Sequence, residues 1–295
     1  MRRELILVLA LAIAGCGENQ DTTSPSAVGA PENLKALSVN SATVGLQWSA
    51  PTGQSDSVGG YVVQVGSVRD TLGKNQLSFL ADSLTPGEKT FTVYTRRLSG
   101  ALSDGAVIKW APAARFDVPI ALYEYRTSNT SLLSALDVGS ATLDPAAMTV
   151  TLDNASRIDL YLYGGNGAVE DTLQLQSTSL LVSSWNATAF STIHQSSSGL
   201  DYYLSAFPAG STFTLDHVTV TDNTIYYVRT IGDNGLTYAR IHVHVQAGAS
   251  FPSRAVEVRV SLQRVPGLLY AFDHEGANMP HSRLLGLLTI PGVTP

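Results

Sequence analysis

The sequence predicts an all-β protein, a small antiparallel sandwich followed by a larger antiparallel β domain, and three observations carry that expectation. Apolar residues recur with a period of two: Val44, Leu46 and Trp48 alternate with Thr43, Gly45 and Gln47, and Tyr61, Val63 and Val65 alternate with Val62 and Gln64. Such alternation gives a half-buried strand one apolar face. Turn-forming clusters, Ala50-Pro51-Thr52-Gly53, Val58-Gly59-Gly60 and Thr85-Pro86-Gly87, separate these runs at the spacing of short sandwich strands. Composition agrees, since 44% hydrophobic and 14% charged residues, with 25 Gly and 13 Pro among 295, are too apolar for disorder and too interrupted for a helical rod.

The chain opens with Met1, Arg2, Arg3 and Glu4, then ten apolar residues from Leu5 to Ala14, then Gly15 and Cys16. A charged start and an apolar run too short to span a bilayer read as an export signal over residues 1–15. The segment Ile13-Ala14-Gly15-Cys16 resembles the lipobox of bacterial lipoproteins, which implies that Cys16 becomes the acylated N-terminus and that the bilayer is a partner. Two or three acyl chains, at about 0.8 kcal/mol per buried CH₂, anchor a protein firmly where one does so marginally. Gly17 stands where an Asp retains enteric lipoproteins at the inner membrane, so the resemblance favours the outer membrane. Residues 16–30, GENQDTTSPSAVGA after the Cys, lack apolar periodicity and read as a flexible tether.

Residues 31–112 resemble a fibronectin type III module through Pro31-Glu32-Asn33-Leu34, the strand ending in Trp48, Gly60-Tyr61-Val62-Val63, Leu84-Thr85-Pro86-Gly87 and Phe91-Thr92-Val93. The resemblance implies a seven-stranded sandwich with Trp48 at its centre. The family's corner tyrosine falls on Thr90, with the aromatic one residue late at Phe91, so that corner is altered.

Residues 113–295 are long enough for one domain with a sizeable core. Strands are expected over 118–125, 148–152, 158–163, 173–176, 213–220, 225–230, 238–245 and 256–262, with the apolar run 284–290 as a further edge strand. All four lysines, Lys35, Lys74, Lys89 and Lys109, precede this region, a composition shift that supports a boundary near Pro112. Arg157-Ile158-Asp159-Leu160-Tyr161-Leu162, and Ile225 to Thr230 followed by Tyr238-Ala239-Arg240-Ile241, faintly resemble the HmuY-type haem-binding lipoproteins. That resemblance implies a β-rich lipoprotein domain and makes haem an alternative ligand, although the family's haem-ligating histidines map onto no position here.

Several function classes are excluded. With 18 basic and 24 acidic side chains, the chain is acidic, so it lacks the charge to hold nucleic acid by counterion release. One Cys permits neither a disulfide framework nor a Cys-based zinc site. No Gly-x-Ser-x-Gly, phosphate loop, EF-hand or His-Glu-x-x-His occurs, which points away from an enzyme. A secreted glycan-active enzyme, a class that fibronectin type III modules accompany, would also need a visible acid pair.

Two constellations remain. His242 and His244 share a strand face with Arg240 and Gln246, opposite Ile241, Val243 and Val245. Two imidazoles are half of a tetrahedral metal site, but the neighbouring Arg240 repels a cation, so no metal is assigned. A solvated polar strand face is the plainer reading. Tyr161 and Tyr163 fall opposite Leu160 and Leu162, together with Asp159, where π faces beside a carboxylate suit a sugar or a haem; half-buried strand tyrosines are the alternative. The candidate ligand-binding residues are therefore Tyr161, Tyr163, Arg240, His242 and His244. The expected protein is a cell-envelope lipoprotein that binds a protein or glycan partner through residues 113–295, without catalysis and without a resident cofactor. Haem or other small-ligand capture for uptake is the second reading.

Overall fold

The structure is a computed structural model that describes residues 28–125, 131–139, 142–165, 172–185, 187–196, 198–232, 235–247 and 254–268. Cys16 with its lipobox, and the apolar run 284–290, lie outside the described residues. Seven strands come first: β1 (Glu32–Asn40), β2 (Thr43–Ser49), β3 (Val58–Val65), β4 (Val68–Gly73), β5 (Ser78–Ala81), β6 (Lys89–Arg97) and β7 (Leu102–Trp110). They form a three-stranded sheet, β1-β2-β5, and a four-stranded sheet, β4-β3-β6-β7. That order makes a fibronectin type III-like sandwich. Trp48 and Tyr61 meet edge-on inside it, centroids 5.5 Å apart, and Phe91 is fully buried beside them. The aromatic that arrives one residue late in the sequence thus joins the core.

Ten strands follow: β8 (Ala114–Tyr123), β9 (Ala135–Asp137), β10 (Ala146–Met148), β11 (Leu160–Tyr163), β12 (Gln174–Ser177), β13 (Ala189–Gln195), β14 (His217–Thr219), β15 (Thr224–Gly232), β16 (Gly235–Val245) and β17 (Ala255–Leu262). They make two five-stranded antiparallel sheets, β10-β9-β11-β12-β14 and β13-β15-β16-β17-β8. Leu160, Leu162 and Leu175 of the first sheet pack against Tyr226, Val228, Ile241, Val243, Val258 and Val260 of the second. Among the described residues there is no α-helix, only short 3-10 turns, and no helix is long and apolar enough to cross a membrane.

The two sandwiches are joined by more than the short connection between β7 and β8. The buried cluster that holds Trp48, Tyr61 and Phe91 continues without a break into Leu204, Phe207, Phe213, Tyr227 and Tyr238. Ala36 and Leu204 exchange backbone hydrogen bonds at 2.7 and 3.0 Å. The Tyr203 ring lies over Gly45, where a Cβ would sit 2.7 Å from the phenol oxygen, so this approach requires glycine.

Candidate functional site

The outer face of the sheet β13-β15-β16-β17-β8 is roofed by residues 198–213, and the buried cations of that face hold the roof. Arg240, 1% exposed, donates from Nη2 to the carbonyls of Tyr202 (3.1 Å) and Leu200 (3.5 Å). Arg229 donates to the carbonyls of Gly210 (3.2 Å) and Phe213 (3.0 Å) and lies over the Phe213 ring. Arg240 therefore does share a face with His242, as the alternation predicts, but it is a structural tie and not a ligand contact. Sequence assigns a guanidinium to a face; it does not show that backbone carbonyls from a distant loop will claim it.

Past the end of this roof an open cleft of about 380 Å³ remains, walled by His242, His244, Arg259, Arg115, Asp117 and Asp201. His242 sits in the middle of β16, directly opposite Arg259 of β17. Its ring is buried at 4% exposure, and neither nitrogen has a hydrogen-bond partner. Burial pushes its pKa below the usual histidine range, and Arg259 and His244 push the same way; Asp222 and the Ser196 backbone, the latter short of hydrogen-bond geometry, oppose weakly. The imidazole is thus neutral at pH 7, with one nitrogen able to donate and the other to accept. His244, near the end of the same strand, is half exposed and pairs with the Asp222 carboxylate at 2.8 Å.

Strand β8 supplies the opposite wall because it is a sheet edge, where Pro119 leaves no ladder hydrogen bond unmade. Its pairing with β17 shifts register between Val258 and Val260, so Arg259 meets the backbone of the irregular stretch and donates from Nε to the Asp117 carbonyl at 3.0 Å. Arg115 is clasped by two carboxylates, Asp117 and Asp201, each at 2.7 Å. Burial works against its charge, but the two carboxylates outweigh it and raise its pKa. Among the described residues no three His, Cys, Asp or Glu side chains converge as metal ligands.

The tyrosines lie elsewhere. Tyr161 and Tyr163 are on the outer face of β11, in the other sheet, so the body of the larger sandwich separates them from His242. Tyr161 is 2% exposed, packed edge-on against Tyr125 and Tyr163 and enclosed with Met148, Val150 and Ile158; its hydroxyl donates to Gln176 Oε1. It is a core residue and presents no π face to a ligand. Asp159 does not join the tyrosines, because β11 begins only at Leu160: the turn before it sends Ile158 to the tyrosine side and the Asp159 carboxylate to Thr230 of β15. The sequence reading missed Arg259, Arg115, Asp117 and Asp201. Period two in β17, with Glu257 and Arg259 between valines, carried the signal for Arg259 alone; strand adjacency had to be known for the rest.

No family model matches the chain, and no curated protein matches it. Among solved structures it is similar to the FN5 domain of Drosophila Lar, at 22% identity over 29% of this chain and 97% of that one, with a TM-score of 0.23. A segment of two fibronectin type III domains from chicken tenascin aligns at 11% identity over 80% of this chain and 99% of that one, with a TM-score of 0.25. The central fibronectin-III array of RIM-binding protein gives 12%, 71% and 94%, with a TM-score of 0.26. The first sandwich is fibronectin type III-like by its strand order, β1-β2-β5 and β4-β3-β6-β7.

Proposed function

We propose that this chain is a lipid-anchored, non-catalytic binding protein of a bacterial cell envelope, placed at the outer membrane, whose larger sandwich recognises a protein or glycan partner. The observation that carries the recognition is the cleft beside His242, a buried imidazole whose two nitrogens have no hydrogen-bond partner, on a wall that also bears Arg259. Leaving such a group unsatisfied costs stability, roughly 1–3 kcal/mol for a buried polar atom, and a ligand offsets that cost. Asp117 and Asp201 are both ion-paired with Arg115, whereas glycoside hydrolysis needs one carboxyl free to act as acid. The anchor is supported by the lipobox-like segment ending at Cys16.

Two experiments test this reading. Cys16→Ser should move the protein from the membrane to the soluble fraction; a variant still membrane-bound and processed like wild type removes the anchor. His244→Trp, at a half-exposed position on the cleft wall, should fill the cleft and abolish the binding seen on a glycan array or with envelope proteins, while the melting temperature stays unchanged. Binding that survives His244→Trp moves recognition away from the cleft.

Haem capture is the second reading of the sequence, and the cleft does not fit it. A porphyrin needs apolar walls, and Leu200 is the single aliphatic side chain on the lining. A Soret band that appears on adding haemin and is lost in His242→Leu would restore the haem reading.

A further inference from the structure

We propose that the cleft takes a carboxylate-bearing sugar residue, a uronic acid, with Arg259 and His242 holding the carboxylate and Asp117 and Asp201 accepting the ring hydroxyls. This rests on the reading of the cleft as the recognition site and names its ligand class. The cleft has two chemically different walls. On one, His242 and Arg259 face each other across adjacent strands, a distance over which both side chains reach a single group. The guanidinium is fixed through Nε by the Asp117 carbonyl, and no ion pair engages its Nη atoms among the described residues. A guanidinium held by Nε and open at Nη is set to bind a planar carboxylate, and beside it His242 lines the cleft with a ring whose buried nitrogens have no hydrogen-bond partner.

The other wall is negative but not free. Asp117 and Asp201 each meet Arg115 through Oδ1, which offsets one of their two charges and leaves the Oδ2 atoms as hydrogen-bond acceptors. Neutral hydroxyls can donate to the Oδ2 atoms without displacing Arg115. A ligand with a carboxylate at one end and hydroxyl donors at the other meets both walls, which describes a hydroxylated acid of sugar size. The cleft is open on one side, so a sugar residue inside a longer acidic chain fits as well as a free one.

The test is calorimetric titration of the full-length protein with glucuronate, with glucose as the neutral counterpart and acetate as the carboxylate alone. Glucuronate should bind saturably, and glucose and acetate far more weakly. Arg259→Gln and His242→Leu should each weaken glucuronate roughly ten- to hundredfold, the size expected for losing a hydrogen bond to a charged carboxylate, with Arg259→Gln melting close to wild type and His242→Leu melting no lower than wild type. Equal binding of glucuronate and glucose, or an Arg259→Gln variant that binds as wild type, overturns the acid requirement. Equal binding of acetate and glucuronate overturns the sugar. Array or protein binding that His244→Trp blocks, without any preference for acidic glycans, removes this inference and keeps the recognition reading. Binding that neither variant changes removes both.

Discussion

Asp159 shows how one side chain ties the two sheets of the larger sandwich together. Its Oδ2 accepts the Val138 amide at 2.8 Å, its Oδ1 accepts the Thr230 hydroxyl, and its carbonyl accepts the Thr188 hydroxyl at 2.6 Å. Burial raises its pKa from 3.8 to about 7, against the lowering effect of the Thr230 and Val138 hydrogen bonds and with some help from Asp137. The folded chain therefore keeps a proton here that the unfolded chain loses near pH 4. That contribution to stability is complete below the unfolded pKa and disappears as pH rises through about 7. One proton of difference is worth about 1.4 kcal/mol per pH unit. Asp159→Asn cannot ionise, so the stability of wild type relative to the variant should decline from pH 4.5 to 7 and level off above 8, as measured by urea unfolding. Parallel pH profiles would show that Asp159 does not hold that proton.

At the scale of strands, the termini of β8, β11 and β17 meet at one clamp. Glu124, wholly buried just beyond β8, accepts from Arg254 Nε at 2.8 Å and Nη2 at 3.1 Å, and Arg254 also donates to the Gly164 carbonyl at 2.9 Å. A Cβ on Gly164 would overlap the Glu124 carboxylate, so the residue after β11 must be glycine for the three ends to close. Arg254→Ala would take the guanidinium and its two hydrogen bonds from a buried carboxylate, a change expected to cost about 3–5 kcal/mol. The double change Glu124→Leu with Arg254→Met should recover most of that in thermal unfolding. A double variant no better than the single one would place the loss in packing. This clamp was invisible in the sequence because its parts lie up to 130 residues apart. The strands themselves were legible in proportion to their regularity. β17 and the second half of β16 alternate, β15 carries a continuous apolar run from Ile225 to Val228, and all three were read within a few residues. β9, of three residues, is too short to show a period, and β13 shifts register between Phe190 and Ile193, which breaks the alternation.

For the whole molecule, the sequence pointed to a boundary near Pro112, and the sheets do change there, but the apolar core does not stop. The composition shift that marks the boundary reports surface lysines. Burial across it depends on Phe207, Phe213 and Tyr227, which sit more than ninety residues further along the chain and carry no local sign of their destination. The same limit hid the candidate site: alternation put His242 and His244 on one face, but only the pairing of β16 with β17 and of β17 with β8 brings Arg259 and Arg115 to them. A shared core predicts that the two sandwiches unfold as one cooperative unit, in contrast to a domain on a freely hinged spacer. Phe207 is the residue on which this turns, since it packs edge-on against Tyr227 at 5.1 Å and stacks with Phe213 at 6.4 Å within the continuous cluster. Phe207→Ala should cost about 3–5 kcal/mol, which for a body of this size lowers the melting temperature by roughly 6–20 °C. The decisive observation is the shape of the calorimetric trace. A shared core predicts a single transition that moves as a whole in the variant, with the fluorescence change of Trp48 and Trp110, read in a Trp185→Phe background, tracking the heat. Two transitions, of which only the one without the Trp48 and Trp110 signal shifts, would mean that the first sandwich holds itself together alone.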